Sequence, residues 1–275
     1  MQRARASPVM NTKLFLVKLG GSIITDRDKP DTPNLEVMAR LAKEIKNASS
    51  ETRVLVTHGG GSFGHVVAHK YDVGKGFTDE KSRLGTSLTR FAMHRLTSFM
   101  LQAMIDAGLN PMPFPPSAGA LAENGRILQW DVAPIKAAME RGFTPLTNGD
   151  VVSDTVKGIS IVSGEETLAY LSRSLKPDKV IVAGDIDGVF TADPRIDAKA
   201  RLIPIVDKAN ATAALGSVGP STHVDVTGGM ASKLRYLYDI SKENGISCQI
   251  VNALAPGRLE AALEDKNVVG TVIKA

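Results

Sequence analysis

Cysteine, tryptophan, long apolar runs and dense clusters of one charge are all scarce in this chain of 275 residues. A single cysteine, Cys248, excludes an intrachain disulfide and is typical of a reducing compartment, so we expect a cytoplasmic protein. No apolar run approaches the roughly 18 residues of a membrane-spanning helix, so we expect no membrane partner. No Lys/Arg run is interleaved with aromatic residues, so we expect no nucleic-acid partner either.

The residues that are present have the balance of an ordinary globular protein. Hydrophobic residues make up 43% of the chain and charged residues 23%, with a net charge of +4. The length suffices for one large α/β domain or two small ones. A mild positive balance suits an anionic small molecule as a partner. Residues 1–11 are basic but lack the apolar segment of a secretory signal, so we interpret them as a flexible N-terminal tail.

Short apolar runs alternate with helical patterns along the rest of the chain. Buried strands are predicted at 13–21, 53–61, 110–116, 143–152, 179–185 and 248–253. Helices are predicted at 35–48, 82–108 and 131–142, the last with Asp131 as its N-cap and Gly142 as its stop. An Asn-Gly pair within 122–127 predicts a small hairpin. This alternation predicts an α/β fold in which helices cover both faces of a mostly parallel sheet.

Residues 59–64, GGGSFG, satisfy the pattern G-x-G-x-x-G and raise the question of a dinucleotide site. That interpretation requires a second strand that ends in an acidic residue about 20 positions later. Residues 72–86 are polar and contain several glycines, so the context excludes a nicotinamide cofactor. A glycine-rich turn after a strand is still typical of phosphate binding, because its backbone N–H groups and the following helix N-terminus attract anions.

The chain has three such glycine turns, and two of them carry a lysine. Lys18 ends the first strand, and Lys233 follows the turn at 225–229 in a helix whose Leu234, Leu237 and Ile240 we expect to face inward. Each lysine alone has a purely structural alternative, as a strand-end or solvated helix residue. Together with the turns they indicate phosphoryl transfer, which requires mainly positioning and charge neutralisation.

The stretches LVKLGGSIITD, THGGGSFGH, NGDVV, VIVAGDIDGVFTADPR and DVTGGMASK resemble the amino acid kinase superfamily. GGGSFGH, with its histidine, is similar in particular to the isopentenyl phosphate kinases. The resemblance runs from about residue 13 to the C-terminal GTVIKA. It implies a three-layer α/β/α sandwich in a single domain over 12–275, usually as a homodimer. An acceptor-binding and dimer lobe would span about 12–175, and a nucleotide-binding lobe about 176–275.

The implied activity is the phosphorylation of isopentenyl phosphate by ATP to isopentenyl diphosphate, a step of isoprenoid biosynthesis by an alternative mevalonate route. The alternatives are a fosfomycin or other phosphonate kinase, and a non-catalytic nucleotide-binding protein of the same fold. Retention of Lys18 and Lys233 argues against the non-catalytic protein. Mg²⁺ would arrive with ATP. We predict no metal site built by the protein, because His58, His65 and His69 have no completing ligands and the acidic turn at 185–188 lacks the rest of a calcium loop.

The resemblance also assigns roles to individual residues. The nucleotide phosphates and the nucleotide loop would contact Gly20, Gly21, Ser22, Gly61, Asp185, Asp187, Gly188, Gly229 and Lys233. The alkyl phosphate acceptor would contact Gly59, Gly60, Gly61, His65, Gly149 and Asp150. The catalytic groups would be Lys18, His65, Lys233 and Glu166.

Two positions depart from the family pattern. The family often has a lysine directly after ITD, where this chain has Arg27, with Lys29 two residues later; either could reach the acceptor phosphate. The family often has SGDD where this chain has Ser163-Gly164-Glu165-Glu166. The second acid, Glu166, is expected to orient the two lysines. Ser163 and Glu166 also have the spacing of a helix capping box, and one residue could serve both purposes.

Overall fold

The computed structural model describes residues 12–217 and 229–275. The predicted tail over 1–11 and residues 225–228 of the third glycine turn lie outside the described residues. The strands are β1 (Lys13–Leu19), β2 (Thr52–His58), β3 (Pro111–Pro113), β4 (Leu121–Glu123), β5 (Arg126–Gln129), β6 (Thr144–Asn148), β7 (Asp150–Asp154), β8 (Gly158–Val162), β9 (Lys179–Gly184), β10 (Ile205–Asp207), β11 (Ser247–Asn252) and β12 (Gly270–Lys274). The α-helices are α1 (Gly21–Ile24), α2 (Leu35–Ala48), α3 (Gly61–Lys70), α4 (Glu80–Asp106), α5 (Ala133–Glu140), α6 (Gly164–Leu175), α7 (Ala211–Ser217), α8 (Gly229–Asn244) and α9 (Arg258–Leu263).

A sheet of eight strands in the order β10-β12-β11-β9-β1-β2-β6-β3 forms the middle layer. Its neighbouring strands are parallel except for the antiparallel pair β11 and β12. The central strand β1 is apolar at almost every position because both of its faces are covered. Leu14 and Leu16 belong to the core on one face, and Phe15 and Val17 to the core on the other. The predicted mostly parallel sheet is confirmed.

Helices cover both faces of this sheet, which completes the three-layer α/β/α sandwich. One core contains buried residues of α5, α6, α7 and α8, and the other contains buried residues of α2, α3, α4 and α9. Leu234, Leu237 and Ile240 of α8 are buried in the first core, as their helical spacing predicts. No helix in the described part of the chain combines the length and the apolarity of a membrane span. The division into two lobes near residues 175–176 stays a prediction.

A second sheet, in the order β5-β4-β7-β8, was only partly predictable. The predicted hairpin is present as β4 and β5, with Asn124 (φ 50°) and Gly125 (φ 81°) in the left-handed region that a two-residue turn requires. The prediction of one continuous strand over 143–152 was wrong. The chain leaves the large sheet after Asn148, and β7 belongs to the second sheet. Gly149 forms the break, where an added Cβ would lie 3.0 Å from the Gly164 nitrogen at the start of α6.

The helix predictions hold closely, with one local error. The bounds of α2 are those predicted, and Asn34 caps it by accepting a hydrogen bond from the Val37 N–H. Asp131 was predicted as the N-cap of α5, but Val132 occupies that position. The Asp131 carboxylate, one residue before the N-cap, instead accepts from the N–H of Ala133, the first residue of the helix, at 2.9 Å. Such a local turn is a frequent alternative to capping for aspartate.

Candidate active site

A cavity of about 800 Å³ opens where the parallel strands of the large sheet end. The carboxyl ends of neighbouring parallel strands meet at one edge, which is where α/β proteins commonly bind ligands. Most residues predicted for the site lie in its wall. These are Lys18, Gly20, Gly21, Ser22, Arg27, Gly59, Gly60, Gly61, His65, Gly149, Asp150, Asp185, Asp187, Gly188, Gly229 and Lys233. Two predicted residues, Lys29 and Glu166, are absent from the wall.

Two glycine turns form the floor of the cavity in direct backbone contact. The first leads from β1 into α1, and the second leads from β2 into α3. A Cβ added to Gly21 would lie 2.2 Å from the Gly61 nitrogen, and one added to Gly59 would lie 2.8 Å from the Gly21 nitrogen. Gly61 has φ +48°, in the left-handed region. Only glycine permits this approach, and the first amides of a helix lack intrahelical partners and so can bind anions.

Lys18 ends in a buried ion pair with Glu165. Its Nζ lies 2.6 Å from the Glu165 Oε1, and the two side chains are 9% and 8% exposed. Burial by itself would raise the pKa of Glu165, but the charges of Lys18 and, secondly, Lys233 outweigh it and lower that pKa. One carboxylate therefore pairs directly with Lys18 and also lies within electrostatic range of Lys233.

Glu166, which the resemblance assigns to orienting the lysines, has other hydrogen-bond partners in the structure. Glu166 is 1% exposed, and its carboxylate accepts from Arg126 Nη1 at 2.8 Å and from the Ile127 N–H at 2.9 Å. Ser163 does cap α6 by accepting from the Glu166 N–H at 3.1 Å. Consecutive helical residues point about 100° apart, and here Glu165 lies in the cavity wall whereas Glu166 does not. The adjacent acids were the signal for Glu165, but the sequence did not show which one faces inward.

Arg27, and not Lys29, is the cation of its loop that reaches the cavity. Arg27 Nη2 lies 2.8 Å from the Asp185 Oδ2. Ser22 Oγ donates to the other oxygen of the same carboxylate at 2.9 Å. The Lys29 side chain is 73% exposed and pairs at 3.5 Å with Asp26. The predicted role of Lys29 in acceptor binding therefore has no support in the geometry.

The loop after β9, which the resemblance assigns to the nucleotide, is held by two residues that were not predicted from the sequence. The Asp187 carboxylate accepts from Asn252 Nδ2 at 3.1 Å and pairs with Arg258. Asn252 ends β11 and also lies in the cavity wall. Both partners come from more than 60 residues along the chain, so no local pattern indicates them.

His58, for which the sequence predicts no metal, instead contacts the backbone of the second glycine turn. It is fully buried, and its Nδ1 lies 3.0 Å from the Gly59 carbonyl oxygen. Burial, together with the charge of Lys18, lowers the pKa of His58 to about 4, although the Gly59 hydrogen bond opposes the shift. Because a carbonyl only accepts, Nδ1 carries the proton, and Nε2 of the neutral ring is an acceptor. The Thr97 hydroxyl lies 2.9 Å from Nε2 and 2.9 Å from the Met93 carbonyl oxygen, so its one proton serves either acceptor.

The other side of the cavity combines an apolar wall with two polar groups. His65 lies in the first turns of α3, and Asp150 begins β7 and accepts from the Ser117 N–H at 3.1 Å. The apolar part of the wall is formed by Val66, Ala68, Met93, Val151 and Ile161. This side can therefore enclose an apolar chain beside an anionic group.

Within the described residues, no group of three or more His, Cys, Asp or Glu side chains could hold a metal ion.

Comparison with known proteins identifies the family. A model of the amino acid kinase family matches residues 13–252. The isopentenyl phosphate kinase of Methanothermobacter thermautotrophicus is 36% identical over 270 residues, which are 94% of this chain and 98% of that relative. The isopentenyl phosphate kinase of Thermoplasma acidophilum is 30% identical over 263 residues, 95% of this chain and all of that relative.

Solved structures agree with these relatives. A crystal structure of an isopentenyl phosphate kinase has a TM-score of 0.82 and 33% identity, covering 95% of this chain and 100% of its own. A UMP kinase from Ureaplasma parvum, at 17% identity and a TM-score of 0.63, shares the fold alone. The family model spans most of the described residues and both glycine turns at the cavity floor. This chain belongs to the amino acid kinase family.

Proposed function

We propose that this protein transfers a phosphoryl group from ATP to isopentenyl phosphate, which gives isopentenyl diphosphate and ADP. The observation that carries the proposal is that Lys18, Lys233 and Glu165 line one cavity beside two touching glycine turns. Relatives of nearly equal length that are isopentenyl phosphate kinases support the choice of acceptor.

The nucleotide would be held by Gly20, Gly21 and Ser22 of the first turn and by the loop of Asp185 and Asp187. The residues fit this ligand, because Gly20, Gly21 and Ser22 line the cavity at the start of α1, where backbone N–H groups can bind phosphate oxygens. Bound MgATP would supply the γ-phosphoryl group and the charge of its Mg²⁺. Ser22 and Arg27 both bond to Asp185, so this carboxylate fixes the first turn and the Arg27 loop to the nucleotide side.

The two lysines would neutralise the charge that spreads over the phosphoryl oxygens during transfer. A positioned donor of this kind commonly lowers the barrier by about 3 kcal/mol. Glu165 would hold the Lys18 ammonium at the centre of the cavity. Lys18, Lys233 and Glu165 together carry one net positive charge, which suits an anion that moves between two sites.

The acceptor would lie on the second turn, with its alkyl chain against the apolar wall. We assign His65 the role of an oriented hydrogen-bond donor to the acceptor phosphate. The acceptor needs no general base, because a phosphate monoester is already ionised at neutral pH. His58 supports the same turn from below through the Gly59 carbonyl. Arg27 remains the candidate for a second cationic contact with phosphate.

Three further features belong to the same proposal. Mg²⁺ would enter with ATP. The protein would act as a homodimer, and α4 offers a surface for this contact because Leu84, Phe91 and Ile105 are 52%, 63% and 55% exposed on it. A cytoplasmic location would fit Cys248, which is a buried free thiol.

Phosphorus NMR of the protein with MgATP and isopentenyl phosphate tests the proposal. We expect the signals of a diphosphate monoester and ADP to appear together. Fosfomycin, offered in place of isopentenyl phosphate, tests for a phosphonate kinase. Turnover of fosfomycin alone, or nucleotide binding without turnover of either acceptor, would contradict the proposed function.

A further inference from the structure

One side chain, Thr25, links the two glycine turns to each other. Thr25 follows the last residue of α1 and is 3% exposed. Its hydroxyl donates to the Gly21 carbonyl at 2.7 Å and accepts from the Ser62 N–H at 3.1 Å. One hydroxyl group thus bonds the first turn of α1 to the first turn of α3.

The same side chain also fills the space between the turns. A Cβ added to Gly61 would lie 2.2 Å from the Thr25 Oγ1 and 2.7 Å from its Cγ2. Both the hydroxyl and the methyl group therefore pack against Gly61. Thr25 itself is not among the residues of the cavity wall, so it does not touch a bound substrate directly.

The neighbouring backbone extends this connection. Thr25 forms an isolated antiparallel bridge with Pro33, and the Asp31 N–H reaches the Ser62 carbonyl at 3.4 Å. The loop between Thr25 and Pro33 also carries Arg27, which pairs with Asp185 on the nucleotide side. Thr25 stands at the base of this loop, where the donor and acceptor sides of the cavity meet.

We propose that Thr25 is a positioning residue whose hydroxyl sets the separation of the two phosphate-binding turns, and through it the separation of the donor and acceptor phosphates. This inference rests on the proposed function. Reacting atoms must approach within about 3–3.5 Å, and a misplacement of about 1 Å can lower the rate about 100-fold. Each turn keeps its own amides without this hydroxyl, so binding of each substrate alone should survive its loss.

Two comparisons isolate the effect of the Thr25 hydroxyl: the wild type with Thr25→Val, and Thr25→Ser with Thr25→Ala. Thr25→Val keeps the shape of threonine and lacks the hydroxyl, and Thr25→Ser and Thr25→Ala both lack the methyl group but differ in the hydroxyl. Thr52→Val is the matched control, because Thr52 is 6% exposed and donates to the Leu263 carbonyl at 3.3 Å at the opposite end of β2. Steady-state kinetics with both substrates and melting temperatures are measured for all four variants.

We expect Thr25→Val to lower kcat about 10- to 100-fold, with both KM values within about 3-fold of the wild type. The kcat of Thr25→Ser should be clearly higher than that of Thr25→Ala. The ratio of these two kcat values should be similar to the ratio between the wild type and Thr25→Val. Thr52→Val should lose stability and keep kcat.

Equal kcat in the wild type and Thr25→Val, and in Thr25→Ser and Thr25→Ala, would overturn the inference. So would a rise of both KM values with unchanged kcat. A loss of kcat in Thr52→Val as large as that of a Thr25 variant with the same melting temperature would also overturn it, because stability alone would then explain the loss. If Thr25→Val does not fold, the serine and alanine pair still decides. Failure of the wild type to turn over isopentenyl phosphate would instead refute the proposed function, so the two failures are distinguishable.

Discussion

Replacing Glu165 by Gln removes one negative charge from the cavity wall and keeps the size of the side chain. In the wild type this carboxylate lies 2.6 Å from the Lys18 Nζ, with both side chains less than 10% exposed. Removing one partner of a buried ion pair leaves the other charge uncompensated and typically costs about 3–5 kcal/mol. Lys233 adds to the unbalanced positive charge, since it also acts on Glu165.

The bound nucleotide changes this balance in a way that can be measured. Phosphate groups in the cavity would replace the lost negative charge, so MgATP should raise the melting temperature of Glu165→Gln by more than that of the wild type. We also expect kcat to fall about 10- to 100-fold, because the Lys18 ammonium is no longer oriented. Thermal shift with and without MgATP and steady-state kinetics measure the two effects.

Glu166→Gln is the control, because it makes the same chemical change one residue later. Glu166 pairs with Arg126, whose side chain is 61% exposed, on the side of α6 away from Lys18. This variant should lose stability without a special response to MgATP and keep most of its kcat. An equal loss of kcat in Glu166→Gln and Glu165→Gln, or wild-type behaviour of Glu165→Gln, would contradict a role for Glu165 in orienting Lys18.

Three further predictions follow from the same site. Lys18→Ala and Lys233→Ala should each lower kcat at saturating ATP by about 100-fold or more, equivalent to about 3 kcal/mol, and a near-normal kcat would remove that lysine from the mechanism. His65→Gln keeps an N–H donor and should retain clearly more kcat/KM than His65→Ala, whereas losses that only follow melting temperature would make His65 a packing residue. The pKa of His58 is lowered from 6.5 to about 4 in the folded state, so the unfolded state takes up a proton first as pH falls. The contribution of neutral His58 to the free energy of unfolding is therefore complete above about pH 6.5 and is lost towards pH 4. Denaturant unfolding between pH 7 and 4 should show about 3 kcal/mol more loss for the wild type than for His58→Gln, and parallel pH profiles would contradict the neutral buried histidine.

The strands and the glycine turns were predictable because their signals are local. β1 is apolar at nearly every position and ends at Lys18-Leu19-Gly20-Gly21, so strand, cation and turn can be recognised from neighbouring letters. The convergence of Lys18 and Lys233 was also predictable, because strand ends and helix starts share one edge of a parallel sheet. The family resemblance then supplied the acceptor, which the residues alone did not specify.

The parts that failed depend on orientation or on distant contacts. Whether Glu165 or Glu166 faces Lys18 depends on where α6 begins and on how it rotates against β1, and both acids satisfy the sequence pattern. At the break, Gly149 lies close to the Gly164 backbone, a contact that the local pattern does not indicate. The roles of Asn252 and Arg258 arise from contacts across more than 60 residues, for which a single sequence contains no local signal.

The proposed function assigns Lys18 and Lys233 to phosphoryl transfer to isopentenyl phosphate in one cavity. Phosphorus NMR of the wild type, with MgATP and isopentenyl phosphate in equal amounts, tests it most directly when Lys233→Ala is followed beside it under the same conditions. We predict that isopentenyl diphosphate and ADP grow in equal amounts with the wild type, and at least about 100 times more slowly with Lys233→Ala. A wild-type protein that forms no diphosphate product, or a variant that forms it at the wild-type rate, would contradict the account.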